Sequence, residues 1–189
     1  MIKTFSSLPM VLVSAALLAG CSLPRVAPNT ERGTYLAELY RYGAGDRDLA
    51  LEVRGNPFAA ADKPMLDAMV EKAVGHAGIL QPPTRPRLSP DASAVSNYRM
   101  IVEFSPNNGV VGQDLCDGAK VAPFASPGDK PGEVAVVMAF CVSGRAASQA
   151  QGWYSPNGID DPDLSGLLKR MEVELFRPDD TLQGSGDPT

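Results

Sequence analysis

Val134-Ala135-Val136-Val137-Met138-Ala139-Phe140-Cys141-Val142, followed by Ser143-Gly144 and then Arg145-Ala146-Ala147-Ser148-Gln149-Ala150-Gln151-Gly152-Trp153-Tyr154, is the stretch that decides the fold. An unbroken apolar run of this length matches a central strand covered on both faces. Ser143 and Gly144 suit a tight turn, and Ala146, Ser148, Ala150 and Gly152 then alternate with Ala147, Gln149, Gln151 and Trp153. A hairpin is therefore predicted. Upstream, Tyr98, Met100, Val102 and Phe104 alternate with Arg99, Ile101 and Glu103, which gives a second strand. Leu49, Leu51 and Val53 alternate with Ala50, Glu52 and Arg54 in the same way, and Gly55-Asn56-Pro57 ends that strand.

Two helices complete the pattern. Met65, Leu66, Met69, Val70, Ala73, Val74 and Ala77 form one apolar stripe, with Asp62 as expected N-cap, Pro64 in the first turn and Gly78 near the end. Leu164, Leu167, Leu168, Met171 and Leu175 form another, opened by Asp161 and Pro162 and stopped by Pro178. The order strand, helix, strand, strand, strand, helix predicts an α+β two-layer domain over residues 46–178, with a mainly antiparallel sheet of about four strands and two amphipathic helices on one face. Glu31 to Tyr42 suits a short helix or an irregular segment, Gln81 to Pro90 a polyproline-like connection, and residues 179–189 a disordered tail.

Composition bounds the rest. The chain has 189 residues, 44% of them hydrophobic and 21% charged, enough for one domain. Seventeen Lys and Arg against 22 Asp and Glu give a net charge of -5, without the basic footprint of a nucleic-acid binder, so nucleic acid is excluded as a partner.

The N-terminus carries an address. Lys3 precedes an apolar run from Met10 to Leu18 and the small residues Ala19 and Gly20, so residues 1–20 read as a secretory signal. The run falls short of the roughly 20 residues that span a bilayer. Leu18-Ala19-Gly20-Cys21 resembles the lipobox of bacterial lipoproteins. The resemblance implies that cleavage falls before Cys21, that its thiol carries a diacylglyceryl group, and that its freed amine is acylated too. Two or more buried chains hold a protein stably to a membrane, where one alone is marginal. The alternative is an ordinary signal peptide with a chance cysteine near its end. Ser22 stands where the family's inner-membrane retention signal is often Asp, which leans towards the outer membrane. Cleavage removes Lys3 and no acid, leaving 16 basic against 22 acidic residues, net -6. Attachment is then expected to rest on lipid and not on charge. Ser22 to Thr30 reads as an extended tether of about 25 to 30 Å, so that residues 21–45 form a lipidated N-terminus, tether and N-terminal segment.

If Cys21 is acylated, Cys116 and Cys141 remain as a pair in a compartment that permits disulfides, and a bond between them is expected. Such a bond would stabilise the fold by on the order of 3 kcal/mol. A buried inert thiol at Cys141 is the alternative; a metal pair is disfavoured because no CxxC spacing exists.

Other candidate chemistry reduces to structure. His76, the single histidine, sits late in a helix, where a positive charge is favoured. No nucleophile-elbow pattern is present. Asp160, Asp161 and Asp163 lack EF-hand spacing and read as helix capping. Gly43 and Gly45 precede a strand and read as a turn. Pro83 and Pro86 with Arg85 and Arg87 read as a linker, the alternative being a polyproline-type ligand for an aromatic groove. Asn56 with Phe58, or Trp153 with Tyr154, could rim a recognition patch, with core packing the default.

The domain's layout, with Arg54-Gly55-Asn56-Pro57-Phe58 and Ala139-Phe140-Cys141, resembles small domains of Gram-negative envelope lipoproteins and, more distantly, lipoprotein accessories to envelope transport systems. No catalytic residue follows from that resemblance. The expectation is a non-enzymatic interaction or assembly module, with no cofactor and no metal, held to the membrane through acyl chains on Cys21 and meeting other envelope proteins. The rival class is a small-ligand carrier or a hydrolase.

Overall fold

The computed structural model describes residues 23–27, 36–58, 62–75, 85–104, 110–118 and 133–177. In chain order the elements are β1 (Arg25–Ala27), α1 (Leu36–Ala44), β2 (Asp48–Arg54), α2 (Lys63–Ala73), β3 (Arg85–Arg87), β4 (Tyr98–Phe104), α3 (Gly112–Cys116), β5 (Val134–Val142), β6 (Arg145–Tyr154) and α4 (Pro162–Leu175). The strands form one sheet in the order β1-β6-β5-β4-β2-β3.

The class is α+β, as the sequence suggests, but the sheet is larger and of another kind than expected. It has six strands and is mixed: β2 runs parallel to both β3 and β4, while β4·β5, β5·β6 and β6·β1 are antiparallel. The physical reason lies in α2. It lies between β2 and β3 and supplies the crossover that parallel neighbours require, and β4 then enters on the other side of β2 in the same direction. The two extra strands are edge strands of three residues each. Arg25–Ala27, expected in a free tether, pairs instead with Gln151 to Trp153 of β6. Arg85–Arg87, expected in a polyproline connection, pairs with the start of β2, and its proline is tolerated because an edge strand has one unpaired side.

Three helices, not two, cover one face. Leu36, Tyr40 and Ala44 of α1, Leu66 and Val70 of α2, and the apolar stripe of α4 are buried against Leu49, Leu51, Met100, Val102, Met138 and Phe140. Phe140 sits at the centre of an aromatic group, with ring centroids 5.5 Å from Phe176, 6.0 Å from Tyr40 and 6.2 Å from Tyr98. Gly43, read as a turn, lies inside α1, where a Cβ would collide with the ring of Tyr98; Gly45 is in the turn that follows.

The unbroken apolar run of β5 has its expected cause. Val136, Met138 and Phe140 face the helices, whereas Val137, Ala139 and Cys141 form a second, smaller core with Ile101, Leu115 and Cys116 under α3. Ser143 and Gly144 both take positive φ and close the β5–β6 hairpin in two residues. One irregularity shifts the register at Phe140/Cys141, so that Phe140 faces Ser148 and Cys141 faces Ala146, leaving Ala147 as the extra residue.

Helix ends follow local chemistry. Asp161 caps α4, its carboxylate accepting the Asp163 N–H at 2.9 Å. Asp62 occupies the N-cap position of α2 without a side-chain cap bond. The α2 helix stops at Ala73, earlier than its apolar stripe suggested, and the buried Glu172 of α4 accepts the Gly75 N–H at 2.7 Å. Cys21, His76, Pro83 and the segment 179–189 lie outside the described residues.

Candidate functional site

Two constructions of polar and covalent groups stand out, one on each side of the sheet's β6 half. The first is the docking of α3. A five-residue helix is too short to be stable in isolation, where about 12–15 residues are marginal, so it must be held from outside. Cys116 is disulfide-bonded to Cys141 of the central strand, with Cα atoms 5.5 Å apart. The expected pairing is thus present. Arg99 donates to the Cys116 carbonyl at 2.8 Å and Arg54 to the Leu115 carbonyl at 3.3 Å, satisfying the helix's C-terminal acceptors. At the other end Gln149 accepts the Gly112 N–H, and Gln113 bridges to the Gly144 carbonyl and the Ala146 N–H.

Beside this helix the second face carries charge. Arg54 binds Glu52 at 2.7 Å, and this pairing holds the Glu52 carboxyl below its ordinary range. Glu103 lies one strand over and is buried; desolvation raises its pKa, partly opposed by Arg54 and reinforced by Glu52. Its Oε2 meets no hydrogen-bond partner among the described residues. Arg54, held by Glu52, braces α3 against the sheet.

The second construction is the edge formed by β1, the end of β6 and α4. Arg25 lies over the ring of Trp153 at 4.9 Å from its centroid and forms an ion pair with Glu133 at 2.8 Å. On the α4 side, Arg170 donates to the Pro24 carbonyl at 3.2 Å, and Arg177 pairs with Glu174 at 3.1 Å. A cleft of about 600 Å³ runs between β1 and α4, lined by Pro24, Val26, Arg170, Val173, Glu174 and Arg177 among others. The two sides of each ion pair differ in exposure. Arg25 and Arg177 are 36% and 51% exposed, whereas Glu133 and Glu174 are 2% and 8%. The carboxylates lie beneath and the guanidiniums outside, so an approaching group meets the guanidiniums before their paired carboxylates. Close approach of α4 to β6 depends on Gly152, where a Cβ would come within 2.9 Å of both Leu167 and Met171.

Of the two anticipated recognition pairs, Trp153 and Tyr154 separate in the structure. Trp153 is half-buried under Arg25, while Tyr154, next in sequence and on the opposite face, is in the main core. The Tyr154 hydroxyl has no hydrogen-bond partner among the described residues, and burial, aided by Asp161, pushes its pKa up. Asn56 accepts the Phe58 N–H at 3.0 Å in a local turn, and Phe58 packs against the main core. Asp160 and Asp161 border a second cleft of about 340 Å³ with Lys72 and Lys169. Among the described residues, no three His, Cys, Asp or Glu side chains converge as a metal-binding group. The arginine edge had no signal in the sequence, because Pro24 and Arg170 are 146 positions apart and Arg25 and Glu133 are 108 apart.

No family model matches the chain, and no curated protein does. Among solved structures, the PelC dodecamer from Paraburkholderia phytofirmans is similar at 15% identity with a TM-score of 0.44, covering 83% of this chain and 100% of that one. A variant PelC dodecamer from the same organism is similar at 13% identity with a TM-score of 0.40, covering 81% and 96%. Similarity at this level assigns no function.

Proposed function

We propose that the chain is a lipid-anchored lipoprotein of the cell envelope, acylated at Cys21, whose folded domain is a non-enzymatic interaction or assembly module. The observation that carries this reading is Leu18-Ala19-Gly20-Cys21 at the end of a short apolar run. The buried Cys116–Cys141 bond supports it, since stable disulfides belong to oxidising compartments such as the periplasm. Ser22 after the anchor directs the protein to the outer membrane. Partners are other envelope proteins, met by a domain kept beside the membrane.

Intact mass of the protein purified from its native membrane tests the anchor. The expected species begins at Cys21 and carries acyl mass; a chain beginning elsewhere without it rejects the reading. Crosslinking in intact cells tests the module, with co-purified envelope proteins expected and recovery of the uncrosslinked chain alone counting against it. Density-gradient separation of the two membranes tests the address.

A further inference from the structure

Net charge is a property of the whole chain, but a membrane meets only the face turned towards it. The link between anchor and fold is far shorter than the sequence suggested, because β1 starts at Arg25. From Cys21 to Arg25 a fully extended chain reaches at most about 14 Å. The β1 edge is therefore tied within one or two screening lengths of the headgroups, given a Debye length of about 8 Å at physiological ionic strength. Leu23, inside that link, is 79% exposed. Beside it stand Arg25, Arg170 and Arg177, with their partner carboxylates Glu133 and Glu174 buried beneath two of them. Guanidiniums thus stand on the edge that the proposed anchor would hold near lipid.

We infer that the β1–α4 edge is a membrane-docking surface: Arg170 and Arg177, with Arg25, engage the anionic phosphates of the leaflet that holds the Cys21 acyl chains, and Leu23 enters its interface. This rests on the lipoprotein reading and adds an orientation to it. The acyl chains supply affinity, and the arginines fix which side of the domain lies down. Guanidiniums suit the task because their planar fork matches phosphate oxygens. Each cationic side chain close to an anionic surface is worth about a fivefold change in contact population, so two substitutions are expected to change it about 25-fold.

The chain contains its own reporter. Trp153 is the single tryptophan and lies under Arg25 on the docked edge. Acylated protein, purified from its native membrane, is reconstituted in vesicles of phosphatidylcholine alone or with about 30% phosphatidylglycerol, each containing a phosphatidylcholine spin-labelled at its headgroup. Quenching of Trp153 emission is expected to be at least twice as strong with phosphatidylglycerol, and to fall to the neutral-vesicle level at high salt. The double variant R170E/R177E is expected to lose the difference, and the milder R170Q/R177Q, with its Trp153 emission in the absence of vesicles unchanged from the parent, to lose most of it. Equal quenching in both vesicles, or variants that quench like the parent, overturns the docking surface. In that case, acyl mass on Cys21 and flotation with the vesicles leave the anchor standing; absence of acyl mass removes both.

Discussion

Replacing Cys116 and Cys141 together by alanine isolates the contribution of the covalent link between α3 and the central strand. The bond closes a loop of 25 residues. In the loop-closure picture this removes about 3.5 kcal/mol of entropy from the unfolded chain. For a domain of this size each kcal/mol moves the melting temperature by about 2–4 °C, so the double variant is expected to melt about 7–14 °C below the parent. The native contacts should survive, because Arg99, Arg54, Gln149 and Gln113 still hold α3 by hydrogen bonds. Cys141 is fully buried and Cys116 nearly so, and removing their sulfurs adds a small packing loss in the second core. The assay is thermal and urea unfolding of the mature protein, with and without reductant, alongside the double variant. Reduced parent and variant should coincide, and the variant should not respond to reductant. Melting points of oxidised and reduced parent within about 2 °C of each other would refute the reasoning, since a bond that constrains the unfolded chain cannot be broken without that effect.

Gly152→Val forces two methyl groups between β6 and α4, where Leu167 and Met171 leave no room, and should cost about 2–3 kcal/mol in urea unfolding; an unchanged midpoint would contradict the close approach. Glu103→Gln should stabilise the protein at neutral pH, because burial raises the Glu103 pKa and disfavours its charged form. The parent's deficit is absent below the ordinary carboxylate value of 4.5 and grows as pH rises through the raised folded value, so the variant's advantage must vanish in acid. Glu52 behaves oppositely. Arg54 lowers its pKa, so Glu52→Gln should cost stability above pH 4.5, a cost that disappears as pH falls through the lowered value, and a pH series of melts on both variants separates the signs. Tyr154→Phe should leave stability unchanged or raise it by about 1 kcal/mol, because its buried hydroxyl finds no partner among the described residues; a clear loss in urea unfolding would show that the hydroxyl is satisfied.

The elements legible in the sequence are those in which one signal dominates. β5 reads as central because its two faces fill two different cores, and no solvent-facing position interrupts the apolar run. α4 reads clearly because its stripe, its Asp161 cap and Pro162 agree. Direction was harder. A helical stripe already stands between the alternating runs of β2 and β4 in the sequence, yet alternation along a strand says which face is buried and nothing about which way its neighbour runs. β1 and β3 escaped because three residues cannot display a period, and both carry proline or charge, as edge strands do. α3 spans little more than one turn, and its reason for being helical lies in Cys141, Arg54, Arg99 and Gln149, all distant in sequence.

The arginine edge was illegible for a related reason, and its assembly alters what the anchor can do. A free tether from Cys21 to Thr30 would let the domain turn in any direction, and every face would meet the membrane equally often. Pairing Arg25, Val26 and Ala27 with Trp153, Gly152 and Gln151 shortens that link to four residues, and the Arg25–Glu133 and Arg170–Pro24 contacts fasten the same strand. In the proposed docking, the three-residue ladder thus limits which faces can reach the bilayer. In the proposed docking, the opposite edge, where β3 presents Arg85 and Arg87, points away from the bilayer, since it lies at the far side of the six-strand order. If the proposed docking holds, an envelope partner would have unhindered access to the β3 side and restricted access to the β1 side. In-cell crosslinks from lysines or introduced cysteines near β3 should exceed those near β1, and the reverse ratio would mean that the domain lies the other way round.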